Sequence, residues 1–304
     1  MDTGWLYDFL ALIETGSFTQ AAAYRNCSQA AFSRRIQNLE SWVGSRLVDR
    51  SVYPMKLTIA GEKFHHQTLS LTAALEDARV ETGQGELYQR VRVALTYSLA
   101  ADRFPHWWAK WISGSDVCCA TLVGNVLETT SLFTAGQADF LISYWHPLYP
   151  GSELDQNLYD KVVIGRVLLR PYANREIVFP GTSKQPVPLL HYTESSYFAK
   201  VVRHIWDTAN QPLRHQIIMT SEMTATLARA AQHGLGVAWL TDSHVKHLAG
   251  PPLIPVDVST MSLGSSNAVN GLWCESLDVV VHKAYANRRH PVQQIWHAIK
   301  AEAV

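Results

Sequence analysis

Several features are scarce in this chain of 304 residues. Its four cysteines, Cys27, Cys118, Cys119 and Cys274, are scattered and form no CxxC pair, which argues against a disulfide framework and fits a reducing cytoplasm. Lys plus Arg and Asp plus Glu are balanced at 26 each, so the molecule as a whole is no polycation, and any nucleic-acid contact must come from a local patch. No apolar run approaches the roughly 18 residues of a membrane span. The N-terminus lacks a basic segment leading into an apolar core, so neither a membrane nor export is expected. There is no GxSxG, no GxxxxGK[ST] phosphate loop, no HExxH and no kinase signature, hence no catalytic centre and no cofactor to assign. The thirteen histidines suggest no metal site: His244 and His247 have helical spacing and His65 and His66 diverge, but no carboxylate or cysteine completes a set.

What is present is an apolar content of 47%, enough for two or three packed units. In "WLYDFLALIETG", Trp5, Leu6, Phe9, Leu10 and Ile13 share a helical face and Gly16 stops the helix. "SFTQAAAYRN" predicts a second helix, with Ser17 and Gln20 in capping-box spacing. Ser28 caps a third helix, in which Phe32, Ile36, Leu39 and Val43 form the buried stripe and Gly44 is the stop. Three short helices with a tight turn between the last two form a helix-turn-helix, and "RLVDR" with "MKLT" forms a wing beside it. The domain so defined covers 1–59.

A long linker helix is expected over 60–89. Phe64, Thr68, Leu71, Leu75 and Ala78 follow one another at the steps of a coiled-coil seam, which a partner helix from a second subunit would cover. After Gln89 strands and helices alternate, predicting an α/β regulatory unit with mostly parallel sheets over 90–304.

The segments "FLALIETGSFTQAA", "CSQAAFSRRIQNLE", "VGSRLVDR" and "LTIAGEKF" resemble, in order and spacing, the LysR-type transcriptional regulators. "LFTAGQADFLISY" and "ARAAQHGLGVAWL" extend that resemblance more loosely into the effector domain. It implies a winged helix-turn-helix, a linker helix for dimerisation, and two α/β lobes like those of a periplasmic binding protein with a ligand cleft between them. Lobe I would hold about 90–166 and 272–304, and lobe II about 167–271. The implied protein is cytoplasmic, a dimer or tetramer on double-stranded promoter DNA, answering to a small-molecule effector or oxidant, with RNA polymerase a candidate partner. Ala30 stands where the family usually has serine and Phe32 where it usually has leucine. "WLYDFL", "AFSRRI", "SSYF" and "GVAWL" look nearest the hypochlorite-responsive branch, which is associated with methionine oxidation. Met223 falls where one of its methionines belongs, whereas Phe198 takes the place of another.

With Phe32, Ile36 and Leu39 facing inward, the opposite side of the third helix carries Gln29, Ala30, Ser33, Arg34 and Gln37. Ser28 and Gln29 open the helix, where free amides meet phosphate or base edges. Arginine suits guanine and glutamine suits adenine. Arg34 and Arg35 lie about 100° apart, so Arg34 is assigned to the groove, and Arg35 is either a phosphate contact or an intramolecular partner. Arg50 and Lys56 are phosphate candidates near the wing. Strand ends and helix starts supply the effector candidates Thr96, Tyr97, Ser98, Asn125, Ser195, Ser196, Tyr197, Phe198, Thr220, Ser221 and Met223. The hydroxyl residues among them could equally be helix caps, and Met223 is expected to fill a core gap rather than to act as an oxidation sensor. Two competing classes are a solute-binding or enzyme-like two-lobed domain and an adaptor that uses its helical N-terminus for protein contacts. Salt-sensitive DNA binding discriminates both from a regulator.

Overall fold

The computed structural model describes residues 2–51, 55–84, 89–149, 154–174, 186–209, 214–257, 262–263 and 273–303. The chain opens with α1 (Gly4–Thr15), α2 (Phe18–Tyr24) and α3 (Gln29–Val43). Glycines in the left-handed region, Gly16 at φ 63° and Gly44 at φ 78°, terminate α1 and α3. Ser28 caps α3 by accepting from the Ala31 amide at 3.3 Å. The capping box expected at Ser17 is not formed: Ser17 occupies the N-cap without a side-chain bond, and its carbonyl accepts from the Thr15 hydroxyl at 3.3 Å. The tight turn before α3 rests on Asn26, at φ 51° the single non-glycine with positive φ among the described residues.

Phe9, Phe32, Ile36 and Leu39 are fully buried in a small core of this domain. Helix α1 presents a different face from the one expected. Leu12 is fully buried with Leu6 and Phe9, while Leu10 is only half-buried and faces outward from that core. The buried face also includes Asp8, 1% exposed, because two arginines reach it. The wing is the antiparallel pair β1 (Val48–Asp49) and β2 (Lys56–Leu57). Its tip, Tyr53 included, lies outside the described residues.

The linker helix α4 (Ile59–Gln84) begins by crossing the wing so closely that a Cβ on Gly61 would lie 2.0 Å from the Leu47 carbonyl oxygen. That approach turns the first part of the expected seam inward. Phe64 packs against Phe9, ring centroids 5.6 Å apart, and Thr68 is buried with its hydroxyl bonded to the Phe64 carbonyl. Phe64 and Thr68 therefore serve the chain's own packing, a correction to their place in an intersubunit seam. Leu71, Leu75 and Ala78 stay exposed.

The regulatory domain is built on one ten-stranded sheet, ordered β4-β3-β5-β12-β6-β9-β7-β8, with β10 and β11 off that path. Its first lobe contains β3 (Gln89–Thr96), α5 (Tyr97–Asp102), α6 (Phe104–Trp111), β4 (Val117–Gly124), α7 (Val126–Thr134) and β5 (Phe140–Trp145). Strand β6 (Tyr159–Asn174) then crosses into the second lobe, which holds β7 (Val187–Tyr192), α8 (Tyr197–Ala209), β8 (His215–Ser221), α9 (Thr224–Gln232) and β9 (Val237–Thr241). Helix α10 (Asp242–His247), β10 (Leu253–Asp257) and β11 (Ser262–Leu263) precede the return strand β12 (Glu275–Ala284) and α11 (His290–Ala301). Of these, α10, β10 and β11 were not anticipated as elements, Ser262 and Leu263 being expected to begin a polar loop.

The sheet is mixed rather than mostly parallel. Pairing is parallel within each lobe, β3 with β4 and β5, β7 with β8 and β9. It is antiparallel through the middle, where the chain leaves along β6 and comes back along β12. Parallel neighbours need helical crossovers, and only the intralobe connections supply them. Trp107 and Trp111 stack in the core, and the Trp239 indole N–H donates to the Trp273 carbonyl at 3.0 Å. Among the described residues no helix is long and apolar enough to cross a membrane.

Candidate nucleic-acid interface and effector cleft

Burial of Phe32, Ile36 and Leu39 fixes the rotation of α3, and its outer face follows from that. Gln29, Ala30, Arg34 and Gln37 are exposed, Ser33 is half-buried, and Asn38 and Ser41 continue the face. Arg34 has no partner among the described residues and points outward, free to donate to a base edge. Arg35 differs. Its Nη1 donates to Asp8 Oδ2 at 3.4 Å, and Arg25 Nε donates to the other oxygen of the same carboxylate at 2.7 Å. Asp8 thereby ties α1, the end of α2 and α3 together, and Arg35 takes the intramolecular role.

Glu40, on the inner shoulder of α3, binds the start of the wing. Its Oε1 accepts from the Leu47 amide at 2.8 Å and the Val48 amide at 3.2 Å, and its Oε2 from Arg50 Nη2 at 3.3 Å. The Arg50 guanidinium also lies 5.0 Å above the Phe18 ring. Arg50 is thus half committed to holding the wing, whereas Lys56 on β2 is exposed. Between α3 and the wing is a hollow of about 450 Å³ lined by Gln37, Ser41, Arg46 and Arg50 among others. Arg46 was missed in the sequence. It lies just before β1 and the buried pair Leu47 and Val48, and is exposed.

The effector candidates divide into a floor and a wall. Ser98 Oγ shares a 2.9 Å hydrogen bond with the Tyr144 hydroxyl, and Phe198 is buried between the rings of Tyr144 and Tyr192 at 4.9 and 5.2 Å. Burial pushes the phenols of Tyr144 and Tyr192 up, so both stay neutral, and Tyr192 donates to Thr224 Oγ1 at 3.3 Å. Thr96 is buried with its hydroxyl unpartnered among the described residues. Phe198 and Ser98 are floor rather than free ligand contacts, since their faces are spent on packing and on Tyr144.

Asn125, Ser195 and Tyr197 meet at one cavity of about 210 Å³, together with Leu127, Leu148, Tyr149 and Lys200. Asn125 comes to it already engaged. It caps α7 in a full capping box, its Oδ1 accepting from the Glu128 amide at 2.9 Å while its own amide donates to Glu128 Oε2 at 2.9 Å. Ser195 donates to Glu222 Oε1 at 3.2 Å. The Tyr197 hydroxyl is buried with no partner among the described residues, and burial pushes its pKa up. Lys200, one helical turn beyond Tyr197, is exposed. Its position three residues after Tyr197 was the readable sign that it shares the face. Leu127 and Leu148 gave no sign, because exposed leucines read as core letters.

Tyr97, Thr220 and Met223 are exposed, Ser196 and Ser221 half-buried, and none of them lines the cavity. Met223, 46% exposed, stands at the N-cap of α9, where its amide donates to Ser221 Oγ at 3.1 Å. A core-filling role for Met223 is thus corrected. His244 pairs with Asp102 at 2.7 Å. Among the described residues no group of three or more His, Cys, Asp or Glu is arranged to hold a metal ion.

Comparison with known proteins places this architecture. The family model described as "Bacterial regulatory helix-turn-helix protein, lysR family" matches residues 4–62, and the "LysR substrate binding domain" matches residues 84–269. The HTH-type transcriptional regulator YjiE of Escherichia coli (strain K12) is 30% identical over 248 residues, 80% of this chain and 79% of that protein. Full-length HypT from Salmonella typhimurium, a hypochlorite-specific LysR-type transcriptional regulator, aligns over 99% of this chain and 97% of its own at TM-score 0.55 and 26% identity. Vibrio fischeri DarR, solved in complex with DNA, aligns over 98% of both chains at TM-score 0.54 and 25% identity. The chain belongs to the LysR family of transcriptional regulators, which are not enzymes but bind DNA through the helix-turn-helix domain and respond to effectors through the domain that follows.

Proposed function

We propose that the outer face of α3 reads the operator, with Arg34 and Gln37 at base edges, Ser28 and Gln29 at phosphate, and Lys56 and Arg46 on the flanking backbone. Two copies joined through the exposed Leu71, Leu75 and Ala78 would read two half-sites, and a second contact between pairs would make a tetramer. Such a regulator acts in the cytoplasm at a promoter, where RNA polymerase is the partner whose access it changes. The domain limits 1–59, 60–89 and 90–304, with lobes parting near 166 and 272, describe the working units.

The effector reading is a small organic anion bound between Lys200, Ser195 and Tyr197, and one observation supports it above the rest. A buried hydroxyl with no partner is rare in folded proteins, and because Tyr197 lines the cavity, a small turn of its ring on binding would let a ligand acceptor satisfy it. Bound there, an anion would draw α8 toward the first lobe and change the spacing of the two reading heads. The test is mobility shift on the chain's own upstream DNA across a panel of small carboxylates. The expected result is that one or more carboxylates shift the affinity of the native chain, and that Lys200→Ala and Tyr197→Phe each abolish the response while leaving ligand-free binding intact. A response unchanged in both variants refutes the cleft assignment.

Oxidation is the second reading, favoured by the exposed thioether of Met223 at the start of α9. Sulfoxide formation there would place a polar group beside Ser221 and Glu222. Mass spectrometry after mild hypochlorite treatment, with DNA binding measured in parallel, tests it. A DNA response that persists in Met223→Leu excludes this site.

A further inference from the structure

A second hollow, of about 410 Å³, lies where the reading domain meets the first lobe. Its volume is in the range of small-ligand pockets. One wall is α1, which contributes Leu10 and Ile13, the apolar residues its own core leaves half-buried. Leu69 of α4 forms the floor and packs so tightly on the turn after α7 that a Cβ on Gly136 would lie 2.2 Å from Leu69 Cδ1. The facing wall is cationic. Arg90, Arg92 and Arg289 line it, and the last two share the carboxylate of Asp139.

That carboxylate is fully used. Asp139 Oδ1 accepts from Arg289 Nη1 at 2.8 Å and from Asn287 Nδ2 at 3.0 Å, and Oδ2 accepts from the Arg92 amide at 2.8 Å. The guanidinium of Arg90 is left with no carboxylate partner among the described residues, although its carbonyl accepts from Arg289 Nη2 at 3.0 Å. Glu14 is the one acidic residue on the α1 side of the hollow. Among the described residues, three guanidiniums face two carboxylates across the hollow, and Arg90 is the cation without one, beside an apolar wall. A cation facing leucine and isoleucine across a pocket matches an amphipathic anion, its carboxylate on Arg90 and its body against α1.

We infer that this hollow is a second effector site, separate from the cleft, for a small carboxylate with an apolar ring or branched tail. Its two walls belong to different domains, so an occupant binds only when the reading head is docked on its own regulatory domain. Binding then stabilises that docked arrangement by mass action. The site couples ligand directly to the orientation of α3 without passing through the cleft.

Phenylacetate is the probe and phenylacetamide its uncharged counterpart, both used with the full-length chain and read by hydrogen exchange and by titration. Phenylacetate is expected to protect α1 and the turn after α7 together, and phenylacetamide neither. Arg90→Gln weakens the binding about tenfold, equivalent to one lost charge-assisted contact. Glu14→Gln tightens it by removing the opposing charge, Ala135→Trp fills the hollow and abolishes it, and Lys200→Ala in the cleft leaves it unchanged. Protection of neither wall overturns the proposal, as does protection confined to α8, or binding by Arg90→Gln at the native affinity. Loss of cleft responses in Lys200→Ala with phenylacetate protection retained separates this site from the cleft reading.

Discussion

Arg35 of the reading helix lies 3.4 Å from the buried carboxylate of Asp8, one helix away, and shares it with Arg25. Two arginines adjacent in sequence therefore have separate tasks. Arg34→Ala is expected to abolish specific operator binding while leaving the melting temperature and self-association unchanged. Asp8→Ala is expected to do the reverse: about 1.5–3 kcal/mol of stability is lost, the range for hydrogen bonds to a charged group, while the reading face keeps its side chains. Thermal melting and mobility shift on both variants check this. Native operator affinity in Arg34→Ala would refute the assignment.

Gly61 is expected to tolerate no side chain. Its Cβ would lie 2.0 Å from the Leu47 carbonyl oxygen, and backbone cannot move aside as a flexible side chain can. Gly61→Ala should cost about 1–3 kcal/mol, the range for overpacking, and the loss should fall on the reading domain. Hydrogen exchange resolves the location: α1 and β1 lose protection and the central strands of the sheet do not.

His282 on β12 makes the regulatory domain acid-sensitive. Burial, with Lys161 beside it, lowers its pKa to about 4, so the folded chain keeps it neutral while the unfolded chain protonates it near the ordinary value. The unfolded state binds more protons between pH 6.5 and about 4, so stability rises with pH across that window. The contribution is complete above the window and falls away within it, by up to about 3 kcal/mol. Urea midpoints compared at intervals through the window should show the native chain losing stability relative to His282→Leu as pH falls. A constant difference would show that His282 does not titrate there.

Leu71 and Leu75, 49% and 42% exposed on α4, have no covering element among the described residues. Leu71→Lys combined with Leu75→Lys is expected to weaken self-association at least tenfold, because two apolar side chains worth roughly 1.5–3 kcal/mol each would lose their burial. Sedimentation at several concentrations measures it. Phe64→Ala, by contrast, should lower the melting temperature, since that ring is packed on Phe9.

Much of this organisation was legible in the order of residues. Phe32, Ile36 and Leu39 recur at helical steps, and that spacing alone oriented α3 and separated Arg34 from Arg35. Helix α1 was harder, because Trp5, Leu6, Phe9, Leu10, Leu12 and Ile13 encircle much of it and offer no unique stripe. Its choice of face depends on Asp8, whose burial is stabilised by arginines 17 and 27 residues away. Strand direction in the regulatory sheet was equally hidden, since a buried strand reads the same whichever way its neighbour runs. In the cleft, the rule that ligands meet strand ends and helix starts selected Asn125, Ser195 and Tyr197. It also selected Ser98 and Phe198, whose letters do not reveal that packing had already claimed them.

The strand β6 runs 16 residues through both lobes, paired to β12 along most of its length. One irregularity interrupts that ladder: the register shifts between Val279 and Val280, opposite Gly165, where no atom would touch an added Cβ. A bulge bends and twists a strand locally. The two lobes are thus leaves of one continuous spring rather than plates on a loose pin. Any bending between them is expected to concentrate at that shift, the one break in the β6–β12 ladder.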